Sequence, residues 1–369
     1  MELDKQTFST PPFRADQVGS LLRSARLKEA RAEYTAGRLS KEGLRAVEDE
    51  EILRIVKKQQ EIGLLAVTDG EFRRSWWHFD FLEGLTGVEA TTEGGIQFQH
   101  QHTQARGIRV VDKLDFRDHP MLEHFKFLKA AAGSNVAKMT IPSPSMLHFR
   151  GTISSDAYID QDEFFDDLGR AYAKAIQAFY AAGCRYLQLD DTSWAYFCSE
   201  EEVSKLNERG LNVEDLKARY ARTINMAVSE KPSDMCITMH ICRGNFRSTW
   251  IASGGYEPVA ETLFQGLNID GFFLEYDSDR AGGFEPLRFI KRPDLKIVLG
   301  LITSKHGALE NADDIKHRID EATRFVPLDQ LCLSPQCGFA STEDGNLLTE
   351  EEQWAKLRHV VDIAAAVWG

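Results

Sequence analysis

Cys236-Ile237-Thr238-Met239-His240-Ile241-Cys242-Arg243-Gly244-Asn245 is an apolar run that ends in a histidine, a thiol and a glycine turn. It reads as a short strand with its polar residues gathered at the C-terminal end. The same pattern recurs on both sides of it. Upstream, Tyr186-Leu187-Gln188-Leu189 ends in Asp190-Asp191, and Val136-Ala137-Lys138-Met139-Thr140-Ile141 ends in Pro142-Ser143-Pro144. Earlier still, Leu64-Leu65-Ala66-Val67-Thr68 ends in Asp69-Gly70-Glu71, and Gln17-Val18-Gly19-Ser20 closes in a glycine turn. Downstream, Gly271-Phe272-Phe273-Leu274 ends in Glu275, the run 296–302 leads to Lys305-His306, and Leu331-Cys332-Leu333-Ser334 leads to Cys337.

Helical patterns fill the intervals at 24–63 (with a break at Gly37 to Ser40), 161–182, 200–230, 257–267, 311–324 and 350–367. Eight strand-like runs, each followed by a helical segment, predict an α/β fold, a (β/α)8 TIM barrel occupying residues 1–369 as a single domain. One stretch breaks the rhythm after the second strand. Residues 76–135 mix alternating segments (Ile96-Gln97-Phe98-Gln99, Ile108-Arg109-Val110-Val111-Asp112) with polar turns and a short helix near 120–132. This predicts a β-hairpin/helix insertion, either covering the barrel mouth or lying on the surface.

Composition narrows the function classes. With 57 acidic against 44 basic residues the formal charge is −13, which argues against nonspecific nucleic-acid binding. No apolar run approaches the ~18–20 residues that span a bilayer, so no membrane association is expected. Met1-Glu2-Leu3-Asp4-Lys5 lacks the basic-then-apolar order of a signal peptide, so a cytoplasmic location is the expectation. Six cysteines in a chain of this length do not make a disulfide framework, and those near His or Glu become ligand candidates.

In this fold the C-terminal ends of the strands carry chemistry. Period two puts His240 and Cys242 on one face, Glu275 ends the next strand, and Cys337 follows the last one. Two sulfurs, one nitrogen and one carboxylate oxygen suit tetrahedral Zn2+. The carboxylate is the weak member of such a set, open to displacement by an incoming thiol that the cation converts to thiolate. The alternative is that these cysteines are small core hydrophobes, as Cys184, Cys198, Cys236 and Cys332 are expected to be.

Ser20, Glu71 and Asp190 end three other strands, where they suit an amino acid's ammonium and carboxylate, or serve as turn and cap residues. Trp76, Trp77 and Trp194, with Arg14, Arg73 and Arg74, could stack on and pair with a flat anionic cofactor, or simply pack. Lys305 and His306, after the seventh strand, are candidate proton donors or loop residues.

Val18-Gly19-Ser20, Asp69-Gly70-Glu71-Phe72, Thr140-Ile141-Pro142-Ser143-Pro144-Ser145, Gln188-Leu189-Asp190-Asp191, His240-Ile241-Cys242, Glu275 and Cys337 occur in one order. Together they resemble the catalytic domain of cobalamin-independent methionine synthase and its shorter single-domain relatives. The resemblance runs from about Phe13 to the last helix and is weakest across 76–135. It implies zinc on His240, Cys242, Glu275 and Cys337, with homocysteine's amino and carboxylate groups at Asp190, Glu71 and the Gly19-Ser20 turn. In that family the homocysteine thiolate held by zinc attacks the methyl of 5-methyltetrahydrofolate to give methionine, and the folate N5 must be protonated to leave.

The chain departs from the family in two ways. It lacks the N-terminal barrel of the two-barrel enzyme, and it reads Gly300-Leu301-Ile302-Thr303-Ser304-Lys305-His306 where the family has an Asp-x-His pattern. The acid is therefore open between Lys305 and His306, and the donor between methylfolate and methylcobalamin or a corrinoid protein. Related barrels open an epoxide with coenzyme M thiolate. Glu71 and Asp190 favour an ammonium-bearing thiol over that sulfonate. A metal-stabilised barrel that only senses a thiol is a further alternative, and a homo-oligomer is compatible with any of these readings.

Overall fold

The computed structural model describes residues 10–92 and 107–369 in full, and the backbone alone at 97–98 and 101–102. Met1 to Lys5, and Ile96 and Gln99 of the expected alternating run, lie outside the described residues. Seven parallel strands form one sheet: β1 (Ala66–Val67), β2 (Val136–Pro142), β3 (Tyr186–Asp191), β4 (Cys236–Ile241), β5 (Gly271–Glu275), β6 (Lys296–Ile302) and β7 (Leu331–Pro335). Each strand neighbours the next in chain order, the connectivity of a singly wound, curled α/β sheet. The register sets Pro142 beside Asp190, Asp190 beside His240 and Glu275 beside Gly300, so the polar C-terminal tips share one end.

The expected first strand is not a regular strand. Residues 13–22 run through the gap between β7 and β1, joined to β7 by a parallel bridge between Ala15 and Leu333. Asp16 N donates to Leu333 O at 3.0 Å, and on the other side Leu21 N donates to Gly70 O at 3.0 Å. Between those contacts Gly19 sits at φ 147°, where an added Cβ would lie 2.7 Å from Thr140 Cγ2. Backbone that must pass this close to β2 cannot keep strand dihedrals, so the seam is irregular where eight even staves were expected.

A buried polar group ties the seam into the sheet. Lys138 Nζ lies 3.2 Å from Asp16 Oδ1, and Tyr186 Oη donates to Asp16 Oδ2 at 2.8 Å. Burial pulls the Lys138 ammonium below its ordinary pKa, and Asp16 opposes that pull.

The helices follow the sequence pattern. Ser24 and Ser40 cap Ala25–Thr35 and Lys41–Glu61, and Thr349 with Glu352 forms a capping box for Glu350–Trp368. Gln161–Ala181 buries Phe164, Leu168, Tyr172, Ala175 and Phe179, one stripe at helical spacing against the sheet. The stretch expected as helix over 200–230 divides into Glu200–Glu208 and Val213–Val228, with Gly210 at φ 76° in the turn between. After β5 there is no α-helix, only the 3-10 turns Asp279–Ala281 and Glu285–Phe289, so the strand–helix alternation lapses there. No helix among the described residues is long and apolar enough to cross a membrane.

The insertion does contain a hairpin. Thr86–Thr91 pairs antiparallel with Gly107–Asp115, whose edge takes Thr152–Ile153 in parallel, and the helix Met121–Ala132 follows. Lys174 reaches Asp115 at 2.6 Å and Lys113 reaches Glu163 at 2.6 Å. These pins set the described part of the hairpin beside the Gln161–Ala181 helix. From the insertion, the central cleft is lined by Trp76, Trp77 and His78 at its start.

Candidate metal and substrate site

At the C-terminal end of the sheet His240, Cys242, Glu275 and Cys337 are all buried and converge. One ligand atom from each lies within 4.8 Å of every other. The sulfurs of Cys242 and Cys337 are 3.5 Å apart. His240 Nδ1 lies 3.3 Å from the Phe273 carbonyl, which fits a proton on Nδ1, while Nε2 is buried without a partner. Glu275 Oε1 accepts from the Arg243 amide at 2.7 Å, and its Oε2 is held by Arg280 at 2.5 Å.

The two thiols perturb each other in opposite directions. Contact with Cys337, then burial, pushes Cys242 well above the ordinary thiol range. The hydrogen bond from Cys242, reinforced by His240, holds Cys337 well below it. Burial alone would lower the His240 pKa, yet Cys337 and the nearby carboxylates leave it raised. Two buried sulfurs, a carboxylate and an imidazole nitrogen without a hydrogen-bond partner form a pocket of cation-binding donors. Close approach is built in at Gly338, where an added Cβ would lie 2.0 Å from Ser20 Oγ.

Ser20, Glu71 and Asp190 line the same cleft as His240, Cys242 and Cys337. Glu71 sits at φ 61°, a left-handed conformation that costs a non-glycine residue about 1 kcal/mol or more. That backbone turns its carboxylate inward. Oε1 accepts from Thr140 Oγ1 at 2.9 Å and lies 3.6 Å from Arg74, while Oε2 is buried without a partner. Burial raises the Glu71 pKa against the pull of Arg74 and Arg23. Burial also pushes the Asp190 carboxyl up to about 7, with Glu71 adding to the rise.

Asp190 Oδ1 accepts from Gln188 Nε2 at 2.7 Å. Its neighbour Asp191 is consumed structurally. It takes hydrogen bonds from Ser145 Oγ at 2.6 Å, Ser193 N at 2.5 Å and Trp194 N at 3.2 Å, and also from Ser143 Oγ.

Trp76 and Trp77 line the cleft, and Trp76 stacks on Phe246 with centroids 6.5 Å apart and planes 8° from parallel. Trp194 does not line it. Its ring is fully buried, edge-on to Phe197 at 5.8 Å and Tyr220 at 6.4 Å, so it is core and not a stacking platform. Arg14 is at the wrong end of the barrel. Its Nη1 donates to the carbonyls of Leu331 at 2.6 Å and Asp329 at 3.1 Å, where β7 begins.

Arg73 is spent on Glu48 and Asp49, and Arg74 donates to the Thr140 carbonyl at 2.5 Å. His306 is exposed on its loop and does not line the cleft. Lys305 is the inward member of the pair, with Nζ buried and unpartnered close enough to Cys337 to lower its pKa, yet it too is outside the cleft lining.

Several lining residues were not anticipated, Arg150 and Asn245 among them. Arg150 is the only lysine or arginine among the described residues of the cleft wall. It lies over the rings of Phe149 at 5.0 Å and Tyr196 at 5.2 Å, and has no carboxylate partner among the described residues. Asn245 donates to Gly338 O at 2.8 Å and leaves Oδ1 buried and unpartnered. Its position in the Gly244-Asn245 turn after His-x-Cys was the available signal. Arg150 is the last residue of the short helix Ser145–Arg150 and carries no such mark.

Comparisons with known proteins agree with this geometry. A family model described as "Cobalamin-independent synthase, Catalytic domain" matches residues 13–366. The uncharacterized protein YxjH of Bacillus subtilis is 63% identical over 358 residues, covering 97% of this chain and 95% of its own. A 5-methyltetrahydropteroyltriglutamate–homocysteine methyltransferase of Thermotoga petrophila is 22% identical over 98% of this chain and 45% of its own length. A crystal structure titled as a putative vitamin-B12 independent methionine synthase from Listeria monocytogenes superposes with a TM-score of 0.82 at 52% identity. That superposition covers 97% of this chain and 98% of that one. By its motifs, its strand-end cluster and these matches, the chain belongs to the family of cobalamin-independent synthase catalytic domains.

Proposed function

We propose that the chain is a zinc-dependent methyltransferase that adds a methyl group to the thiol of homocysteine, giving methionine. The whole chain, residues 1–369, acts as one catalytic barrel with its insertion at about 76–135. The observation that carries this reading is the single cleft lined by His240, Cys242 and Cys337 at one side and by Ser20, Glu71 and Asp190 at the other.

The donor set fits zinc. Tetrahedral zinc bound by sulfur and nitrogen needs donor–donor edges of roughly 3.3–3.8 Å. The sulfurs already stand 3.5 Å apart, and the widest separation of 4.8 Å closes with small side-chain rotations. A zinc ion held by His240, Cys242, Glu275 and Cys337 would favour the thiolate form of a substrate thiol at neutral pH.

The chain's own residues do the remaining work. The unpartnered Glu71 Oε2 and the Asp190 carboxylate receive the ammonium of the amino acid, and Ser20 with the adjacent turn receives its carboxylate. These contacts aim the sulfur at the metal side of the cleft. Trp76 and Trp77 offer flat faces for the methyl donor, and Arg150 offers charge to an anionic one, methylfolate or a methylcorrinoid. Two acids at the substrate pole disfavour a sulfonate such as coenzyme M, so the epoxide-opening reading loses support.

Metal analysis of freshly purified protein tests the proposal, joined to a donor panel of methylfolate mono- and triglutamate, methylcobalamin and S-methylmethionine. One zinc per chain, lost in Cys242→Ser and Cys337→Ser, and methionine formed with one donor class are the expected results. Stoichiometric amounts of another metal, or protein with no metal, would sink it.

A further inference from the structure

Glu275 differs from the other three cluster residues. Both its ligand atoms already carry protein partners: the Arg243 amide at 2.7 Å on Oε1 and the Arg280 guanidinium at 2.5 Å on Oε2. His240 Nε2 has none, and the sulfurs face each other. Glu275 is fully buried and the Arg280 side chain is 9% exposed, so their attraction is poorly screened.

Arg280 stands on the 3-10 turn Asp279–Ala281, four residues past the end of β5, where an α-helix would otherwise begin. Asp277 holds it at 3.0 Å and the Trp250 ring lies 5.1 Å from its guanidinium carbon. It is thus fixed against Glu275, and neither residue lines the cleft.

A carboxylate that shares its charge with a guanidinium is a weaker donor to a metal, and the guanidinium also repels the metal's own charge. The same guanidinium compensates the carboxylate once the metal is gone from it, where a lone buried anion would be strongly disfavoured. We propose that Arg280 is a positioning residue that makes Glu275 the exchangeable donor of the cluster, sharing the carboxylate with zinc and retaining it when the substrate sulfur takes that place. This rests on the zinc reading above. In the exchange the thiol gives its proton to solvent, the carboxylate leaves with its electron pair and stays on Arg280, and nothing is oxidised or reduced.

The test uses full-length Arg280→Met beside wild type, with three measurements. These are zinc affinity against a chromophoric chelator, homocysteine affinity by calorimetry, and zinc-edge X-ray absorption with and without homocysteine. Outer-shell partners of metal ligands change affinity by about 10–100-fold, usually downward when removed. Here the opposite sign is expected: Arg280→Met holds zinc about tenfold tighter and homocysteine about tenfold more weakly. The sulfur count at zinc rises on adding homocysteine to wild type, and does so far less in the variant at the same concentration.

If Arg280→Met does not fold, Arg280→Gln carries the same expectations, because it keeps a hydrogen-bond donor and loses the charge. Wild-type zinc with unchanged affinities and an equal rise in sulfur count in the variant would overturn the role of Arg280 alone. Wild type that binds no zinc would overturn the zinc reading, and this inference with it.

Discussion

Asp190→Asn separates what the site needs from what the fold needs. The Asp190 carboxyl is buried in the cleft wall and pushed from 3.8 up to about 7 by burial, with Glu71 adding to the rise. For an acid with a raised folded pKa, the folded state holds its proton longer than the unfolded state does. Stability is therefore complete below about pH 4, falls as pH rises, and stops falling above about pH 7. The span of roughly three pH units, at about 1.4 kcal/mol each, sets an upper figure of about 4 kcal/mol.

Asparagine keeps an acceptor for Gln188 Nε2, now at 2.7 Å, and cannot ionise. In the metal-free, reduced protein the variant should match wild type near pH 4, outlast it increasingly up to about pH 7, and keep a constant margin above that. With about 2.1 cal/mol/K of unfolding entropy per residue, 4 kcal/mol in a chain of 369 residues is a rise in Tm of about 5 °C. Calorimetric melts of both proteins at pH 5, 6, 7 and 8 measure the gap. The same variant should bind homocysteine about tenfold or more weakly, since a charged contact to the ammonium is gone. A Tm gap independent of pH, or a variant less stable at pH 8, would refute the reasoning.

Arg150→Met should raise KM for an anionic methyl donor about tenfold and leave homocysteine affinity unchanged, because Arg150 is the lone lysine or arginine described in the cleft wall; steady-state kinetics with each substrate varied checks this. Trp194→Ala should cost about 3–5 kcal/mol in denaturant melts, whereas Trp76→Ala should weaken donor binding at little cost in stability, the reverse of a shared stacking role. Lys138→Met leaves Asp16 buried with its charge partner gone and should destabilise by about 3–5 kcal/mol; the double variant with Asp16→Asn should recover much of that in urea melts.

The metal cluster was legible because its residues obey strand logic. His240 and Cys242 are two apart at a strand tip, and Glu275 and Cys337 end other strands of the same sheet, so alternation and strand order suffice to gather them. Arg14 was misplaced because composition does not say which end of a stave a residue occupies. Six residues separate it from Ser20, roughly 20 Å of extended chain, which puts one at the base of the sheet and the other at the mouth.

Trp194 follows Asp190-Asp191 closely in sequence, but the helical turn Ser193–Tyr196 directs it into the core. His306 and Lys305 lie on a loop, where no periodicity sets direction, and one faces outward while the other is buried at its tip. The strand–helix count took in the interval after β5, which the structure fills with two 3-10 turns. Phe284 and Leu287 pack inward there without forming an α-helix.

The seam at residues 13–22 also bears on how the molecule comes into being. Arg14 meets the Leu331 carbonyl across 317 residues of chain, nearly the whole length of the polypeptide. Contacts of such long range form late and slow folding. During synthesis the ribosome must release most of the chain before Ser20 can settle against Gly338, beside Cys337. The N-terminal segment therefore waits through most of translation for Cys337 and Gly338 to emerge, and the reaction chamber is completed only when the two ends of the chain meet.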